Sequence, residues 1–172
     1  IITSIAATKN RIAFADAGSR LVYIIDKKGN LIRIIGASDE KFVIPSPYFD
    51  IAFGKNNELF IANSGKLRIE TWSPEGELKT TFGEAGLAPD AFCGCCNPAH
   101  FIAVPGGFIT SEKGINRIKT LDLTGSFIDF VSVNNRFVPS VPLDLASGDG
   151  RKIYAANPYD SKLYIYKRKE MR

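Results

Sequence analysis

The sequence predicts an all-β protein built from one four-stranded unit that repeats about four times along the chain. Turn glycines recur at Gly29, Gly76 and Gly125, which are 47 and 49 residues apart. Short runs of β-branched and aromatic residues, bounded by Gly, Pro, Asn and Asp, surround each turn. No segment carries a sustained helical period. Such a repeat, at roughly 45 to 50 residues, is typical of a β-propeller in which each unit forms one blade.

The first two predicted blades cover approximately residues 1–36 and 47–83. In each, an apolar inner strand leads into two longer strands, and an outer strand follows the glycine turn. The turn sequences DKKGN and SPEGE suit hairpins because glycine accepts a positive φ. The strands expected here are 2–7, 11–16, 20–26, 31–36, 49–54, 58–63, 67–73 and 78–83.

The third and fourth predicted blades cover approximately residues 98–132 and 141–170. The fourth copy lacks the glycine turn and the outer strand after it. The strands expected here are 100–105, 107–111, 117–122, 127–132, 143–148, 152–157 and 162–168. The sequence therefore predicts a single domain over 1–172, with three complete blades and three strands of a fourth.

The stretch ANSGKLRI at 62–69 resembles the core of NHL repeats, which read approximately A-D-x-G-N-x-R-I. The other copies echo it at Asp16, Gly18, Arg20, Arg117, Ile118, Asn157 and Lys162. The chain thus resembles NHL-repeat propellers, of an uncharacterised secreted or periplasmic type with a GCCNP…TSEKG blade. That resemblance implies an extracytoplasmic location. It also implies the C-terminal portion of a six-bladed ring, incomplete at its N-terminus, whose missing blades come from upstream chain or another subunit. A ring of four blades is the alternative, although its closure would be unexplained.

The segment FCGCCNPAH, residues 92–100, contains every cysteine of the chain and its only histidine. Thiolates and imidazole are ligands that suit zinc or copper. Cys93, Cys95, Cys96 and His100 are therefore candidate metal ligands. A four-coordinate zinc site would need one further ligand, because the cysteine pair and the histidine do not complete it; Glu112 or another blade could supply one.

Two other interpretations of the cysteine segment stay open. Cys93 and Cys96 could form a redox dithiol, or the segment could be a compact structural turn punctuated by Gly94 and a proline. Adjacent Cys95 and Cys96 are expected not to pair with each other. Their Cα atoms are ~3.8 Å apart, below the usual disulfide range of ~4.4–6.8 Å.

Strand order predicts which loops share a face of the propeller. Because the chain reverses direction at each strand, the connection carrying FCGCCNPAH and the loop SEKGINR (111–117) should meet at one mouth of the central channel. Glu112, Lys113 and Arg117 are therefore the candidate ligand- or partner-binding residues. The arginine recurs at Arg20 and Arg68, which favours a scaffold role for it.

Composition narrows the classes of function. The net charge is +4 and the pI about 9.0, but no nucleic-acid-binding module is present, so no nucleic-acid partner is predicted. No run of 18 apolar residues predicts a transmembrane segment. Because the chain has a single histidine, it cannot form a metal site that needs several histidine ligands. The sequence favours a non-enzymatic binding or scaffold propeller that engages a protein or small-molecule ligand.

Two alternatives to a binding module remain. Lactonase-type propellers, which share this architecture, hold calcium with acidic and asparagine ligands, and such ligands could ring the channel here. Asp50 and Asp144 precede inner strands, and Asn63 and Asn157 follow second strands. The first alternative is thus a calcium-dependent hydrolase, and the second is a soft-metal or redox module at the cysteine segment.

Overall fold

The computed structural model describes residues 1–37, 41–133 and 137–168. The first two blades contain β1 (Ile2–Ala7), β2 (Arg11–Asp16), β3 (Leu21–Asp26), β4 (Leu31–Ile35), β5 (Ile51–Phe53), β6 (Leu59–Asn63), β7 (Arg68–Trp72) and β8 (Leu78–Phe82). The other two contain β9 (His100–Val104), β10 (Gly107–Ser111), β11 (Ile118–Asp122), β12 (Phe127–Ser132), β13 (Asp144–Ala146), β14 (Lys152–Asn157) and β15 (Lys162–Lys167).

Each predicted strand is present, with ends within two residues of the expected ones. Neighbouring strands pair antiparallel in chain order, giving four-stranded sheets β1–β4, β5–β8 and β9–β12 and a three-stranded sheet β13–β15. The all-β propeller prediction is therefore confirmed. Two short 3₁₀ turns, Lys55–Asn57 and Ser64–Lys66, were not expected. Residues 169–172, which the predicted domain includes, lie outside the described residues.

Apolar side chains hold consecutive blades together, because each sheet buries alternate residues against the next sheet. Ala13 and Ile24 of the first blade share a core with Phe42, Phe49 and Trp72, which lie on the second-blade side. The second and third blades meet through aromatic rings, with Phe60 perpendicular to Phe108 at 4.8 Å between centroids. The third and fourth blades share a core that includes Ile109, Ile118, Ile153 and Ala155.

The inner strands lie side by side in the order β1, β5, β9, β13 around a central channel. Within the described residues, no contact of comparable extent joins β13 back to β1. The outward face of the first blade accordingly exposes Ile5, with Phe14 stacked on Tyr23 beside it. The far face of the fourth blade exposes Leu163 and Ile165. The four blades therefore form an arc with an apolar sheet face at each end.

Candidate ligand site at the channel mouth

Hydrogen bonds tie the two predicted loops together. Asn97 donates from Nδ2 to the carbonyls of Cys93 and Lys113, and its Oδ1 accepts from the Lys113 amide at 3.0 Å. The Cys93 amide donates to Glu112 Oε2 at 3.3 Å. The prediction that FCGCCNPAH and SEKGINR share one face is therefore confirmed.

Glu112 lies inside the protein, where it accepts from two buried cations. Its carboxylate receives a two-pronged interaction from Arg117, at 2.7 Å from Nε and 2.9 Å from Nη2. The ammonium of Lys119 lies 3.0 Å from the same carboxylate. All three residues are at most 5% exposed. Since a buried charge needs a paired partner, this cluster has a clear structural role.

Arg117 and Lys119 also fix the loop that precedes the cysteine segment. Arg117 donates to the carbonyls of Leu87, Ala88 and Ala91, and Lys119 donates to Ala91 at 2.6 Å. Burial lowers the pKa of Lys119 from 10.5 to about 8, although the Glu112 carboxylate opposes that shift. Lys119 was missed in the sequence, where a lysine in a strand usually indicates a solvent-facing position.

The three predicted ligand- or partner-binding residues therefore separate into two groups. Glu112 and Arg117 are buried and bonded to each other, so ligand binding by them stays a prediction that their position does not support. Lys113 is half-buried, with its ammonium 4.8 Å from the centre of the Tyr48 ring. Of the three, Lys113 is the side chain that lies near the mouth.

The cysteines differ in exposure and in contacts. Cys93 is half-buried, Cys95 is exposed and Cys96 is buried. The Sγ atoms of Cys95 and Cys96 lie 3.2 Å apart, and Ser46 Oγ lies 3.2 Å from the Cys96 sulfur. Burial disfavours the Cys96 thiolate, but the hydrogen bonds of Ser46 and Cys95 and the charge of Lys113 outweigh burial and lower the Cys96 pKa. The hydrogen bond to Cys96 and its nearby charge raise the pKa of Cys95.

Among residues 1–37, 41–133 and 137–168, no three His, Cys, Asp or Glu side chains are grouped so as to hold a metal ion. Zinc or copper at Cys93, Cys95, Cys96 and His100 therefore stays a prediction without a preformed ligand set. Calcium in the channel has the same status.

A row of four polar residues lines the channel mouth. Each lies opposite an equivalent residue of the second strand, namely Ala15, Ala62, Ser111 or Ala156, so all four hold the same place in their blades. They are Ser4, Asp50, His100 and Asp144. Ser4 Oγ donates to Asp50 Oδ1 at 2.5 Å. His100 Nδ1 lies 3.6 Å from Asp50 Oδ2 and 3.8 Å from Asp144 Oδ1.

The row is held rigidly on one side and is open on the other. Asp50 accepts from the backbone amide of Phe101 at 3.0 Å, and so links the second blade to the third. Tyr48 meets the His100 ring edge-on, with centroids 5.8 Å apart. The Asp144 side chain is 72% exposed. A molecule entering the channel can thus reach Asp144 and His100 without displacing a buried group.

Two cavities meet at this row. One, of about 560 Å³, follows the channel between the four inner strands. The other, of about 640 Å³, lies toward the fourth blade, with Val141, Pro142 and Leu163 in its wall. His100 and Asp144 line both cavities. Their volumes fall in the range of ordinary small-molecule sites, which is roughly 300–1,000 Å³.

The sequence pattern revealed this site only in part. His100 was grouped with the cysteines, and Asp50 and Asp144 were considered only as calcium ligands. Ser4 and Tyr48 were not singled out. The available signal was register: aligned copies of the repeat place Ser4, Asp50, His100 and Asp144 at equivalent positions.

In sequence, the chain matches no protein-family model and no curated protein. In structure it is similar to the computationally designed Ika4 protein, with a TM-score of 0.61 and 14% identity over 98% of this chain and 92% of that one. It is also similar to a catalytically inactive virginiamycin B lyase from Staphylococcus aureus crystallised with quinupristin, with a TM-score of 0.63 and 18% identity over 96% of this chain and 51% of the lyase.

A third similar structure is the glutaminyl cyclase of Myxococcus xanthus, with a TM-score of 0.59 and 11% identity over 95% of this chain and 71% of the cyclase. The chain therefore spans about half the length of the lyase. At these identities the likeness supports the β-propeller fold alone. Within the described residues, no helix is long and apolar enough to cross a membrane.

Proposed function

We propose that the protein is a binding propeller that takes a small organic ligand at the channel mouth, on the face that carries FCGCCNPAH and SEKGINR. The observation that carries this proposal is the meeting of two cavities at His100 and Asp144. Loops held on a rigid scaffold are the usual place for such sites.

The chemistry of the mouth favours a ligand with a cationic or hydrogen-bond-donating end and an apolar body. Asp50 and Asp144 present carboxylate oxygens on either side of His100. The wall toward the fourth blade is apolar, with Val141 and Leu163. An ammonium group can therefore pair with Asp144 while the rest of the molecule covers the apolar wall.

The only histidine of the chain reports directly on this site. In NMR spectra, titration with benzylamine should shift the His100 imidazole resonances, whereas the matched neutral benzyl alcohol and the anionic benzoate should not. Asp144→Asn should weaken the benzylamine effect at least about tenfold, because it removes the accessible anion. Asp129→Asn, at an exposed position on the outer strand β12, is the matched control and should bind as the unmodified protein does.

Equal shifts with the amine and the alcohol would contradict the proposed preference for a cation. An unchanged affinity in Asp144→Asn would contradict the site itself. If none of the three compounds moves the His100 resonances while the protein is folded, the mouth does not bind small molecules of this class.

The second candidate is an enzyme. The specific observation is a single imidazole flanked by two carboxylates, an arrangement that can serve general base catalysis. Two proteins of similar fold are a lyase and a cyclase, and the notion of a calcium-dependent hydrolase also belongs here. Metal analysis of the purified protein separates these candidates. Stoichiometric calcium together with esterase or lactonase turnover would overturn the binding-module proposal, and zinc or copper would favour the cysteine segment.

We also propose that the protein is an NHL-type propeller whose two end faces pack against further blades, supplied by upstream chain or by another subunit. The exposed Ile5 and Ile165 support this, because the equivalent faces inside the arc are buried cores. We place it outside the cytoplasm by the same resemblance. Sedimentation of the 172-residue chain tests the subunit version: a monomer at micromolar concentration leaves only the upstream version.

A further inference from the structure

We propose that Cys95 and Cys96 form a dithiol that small disulfide oxidants convert reversibly into a Cys95–Cys96 disulfide. Their sulfur atoms already lie 3.2 Å apart. Bond formation brings them to ~2.05 Å, so little movement is needed. This pair differs from Cys93–Cys96, which the C-x-x-C spacing suggests, and it is independent of ligand binding at His100.

The two thiols differ in a way that assigns each a role. Cys95 is exposed, so an oxidant in solution can reach its sulfur. Cys96 is only 1% exposed, so a bulky oxidant cannot reach it directly. Ser46 Oγ lies 3.2 Å from the Cys96 sulfur. Cys95 therefore reacts first, and Cys96 completes the disulfide.

The reaction is thiol–disulfide exchange in two steps. The Cys95 thiolate attacks one sulfur of a disulfide RSSR, so that a Cys95–SR mixed disulfide forms and RS⁻ leaves. The Cys96 thiolate then attacks Cys95 Sγ, the Cys95–SR bond breaks and a second RS⁻ leaves. The two leaving thiolates take up the two protons lost by the cysteines. In total, two protein thiols are oxidised and one RSSR is reduced to two RSH.

The short Cα spacing of adjacent residues bears on the stability of the product. A bond across ~3.8 Å lies outside the usual range, which makes a disulfide strained and easier to reduce. The three cysteines are free in the structure, as the spacing predicts. The 3.2 Å contact supports a disulfide that forms only when an oxidant is supplied and is readily reversed.

The test uses oxidised glutathione as the probe. The folded chain is incubated with it, quenched with acid, labelled with N-ethylmaleimide and mapped by mass spectrometry. We expect the label on Cys93 alone, an internal disulfide at Cys95–Cys96 and no retained glutathione. Dithiothreitol should restore labelling of all three cysteines.

Three serine variants assign the order of events. Cys96→Ser should retain glutathione on Cys95 at a level at least about tenfold above the unmodified protein, because the second step is lost. Cys95→Ser should take up almost none at Cys96, which is shielded. Cys93→Ser is the matched control and should still form the disulfide.

A disulfide that includes Cys93, or retained glutathione in the unmodified protein equal to that in Cys96→Ser, would overturn the proposal. So would an absence of any reaction at Cys95. If Cys96→Ser does not fold, as judged by its circular dichroism, the exposed-site variant Cys95→Ser and the map of the unmodified protein still decide the matter.

Discussion

The connections that enter the second and third blades are anchored in the same way but carry different side chains, as residues 36–37 and 41–50 of one and residues 83–100 of the other show. In both, a phenylalanine covers a glycine of positive φ, Phe42 on Gly36 and Phe92 on Gly83. In both, the next residue donates its amide to a side chain at the end of the second strand: Val43 to Asn63, the last residue of β6, and Cys93 to Glu112, which directly follows β10. FCGCCNPAH and FVIPSPYFD are therefore anchored alike at their first two residues, although the backbone differs at Gly94, which has a positive φ.

The buried carboxylate that supports each connection comes from a different position in the two blades. In the second blade the buried anion is Glu70 on the third strand, which accepts from Asn63, Arg68 and Trp72. In the third blade the anion is Glu112, which directly follows the second strand, and Lys119 occupies the place of Glu70. The arginine is the common element. The comparison teaches that these two blades keep an arginine–carboxylate pair, half-buried at Arg68 and buried at Arg117, but not the position that supplies the carboxylate.

The largest expected effect comes from removing the anion of the third blade. Glu112→Gln removes the carboxylate that neutralises two buried cations, and should lower the free energy of unfolding by about 3–5 kcal/mol. Asn63→Ala, at the equivalent place, removes hydrogen bonds but no charge and should cost only about 1–3 kcal/mol. Denaturant unfolding measures both.

The double variant Glu112→Gln/Lys119→Met keeps this prediction testable even if the single variant unfolds. It removes one of the two buried cations and should recover part of the lost stability. Equal losses for Glu112→Gln and Asn63→Ala would show that the two anchors do not differ in kind.

An intermediate effect is expected from pH, through Lys119 alone. Its folded-state pKa of about 8 lies below the ordinary 10.5, so between these values the unfolded chain binds more protons than the folded one. The stability contributed by Lys119 therefore rises as pH increases from about 8 to 10.5. Relative to Lys119→Met, the unmodified protein should gain up to about 3 kcal/mol across this window.

The measurement is the difference in unfolding free energy between the two proteins at several pH values, since other titrating groups cancel in that difference. If the difference in unfolding free energy does not rise with pH, or falls, the Glu112 carboxylate keeps the pKa of Lys119 at or above its ordinary value. In the second blade the position equivalent to Lys119 is Glu70, so Glu70→Met should not reveal a rise in stability of this kind between about pH 8 and 10.5.

The smallest effect is expected between the anchors. Cys95→Ala changes an exposed side chain in the middle of the connection and should alter the free energy of unfolding by no more than about 0.5 kcal/mol. The equivalent Pro45→Ala tests the same position of the second connection. A loss from Cys95→Ala approaching that of Asn63→Ala would show that the middle of the loop supports the fold.

Local patterns predict the strands well, because glycine turns and short apolar runs depend on neighbours in sequence. The mouth is harder to predict. Four residues distant in sequence meet there only because the four blades are arranged around one channel, and they are Ser4, Asp50, His100 and Asp144. The burial of Lys119 follows from a carboxylate next to another strand and a carbonyl in a distant loop. Neither partner lies in the sequence segment that contains the lysine, so its burial could be recognised only in the three-dimensional structure.

The connection that enters the third blade is anchored at both ends, so the residues between the anchors can change without altering the fold. Phe92 and Glu112 hold its start and Asn97 holds its end, so residues 94–96 form a short exchangeable insert at the rim of the channel. In one blade that slot holds isoleucine, proline and serine, and in the next glycine and two thiols. A protein that evolves by duplicating its blades can thus change the loop residues of one blade at a time, as an antibody varies its loops, while the sheets stay unchanged.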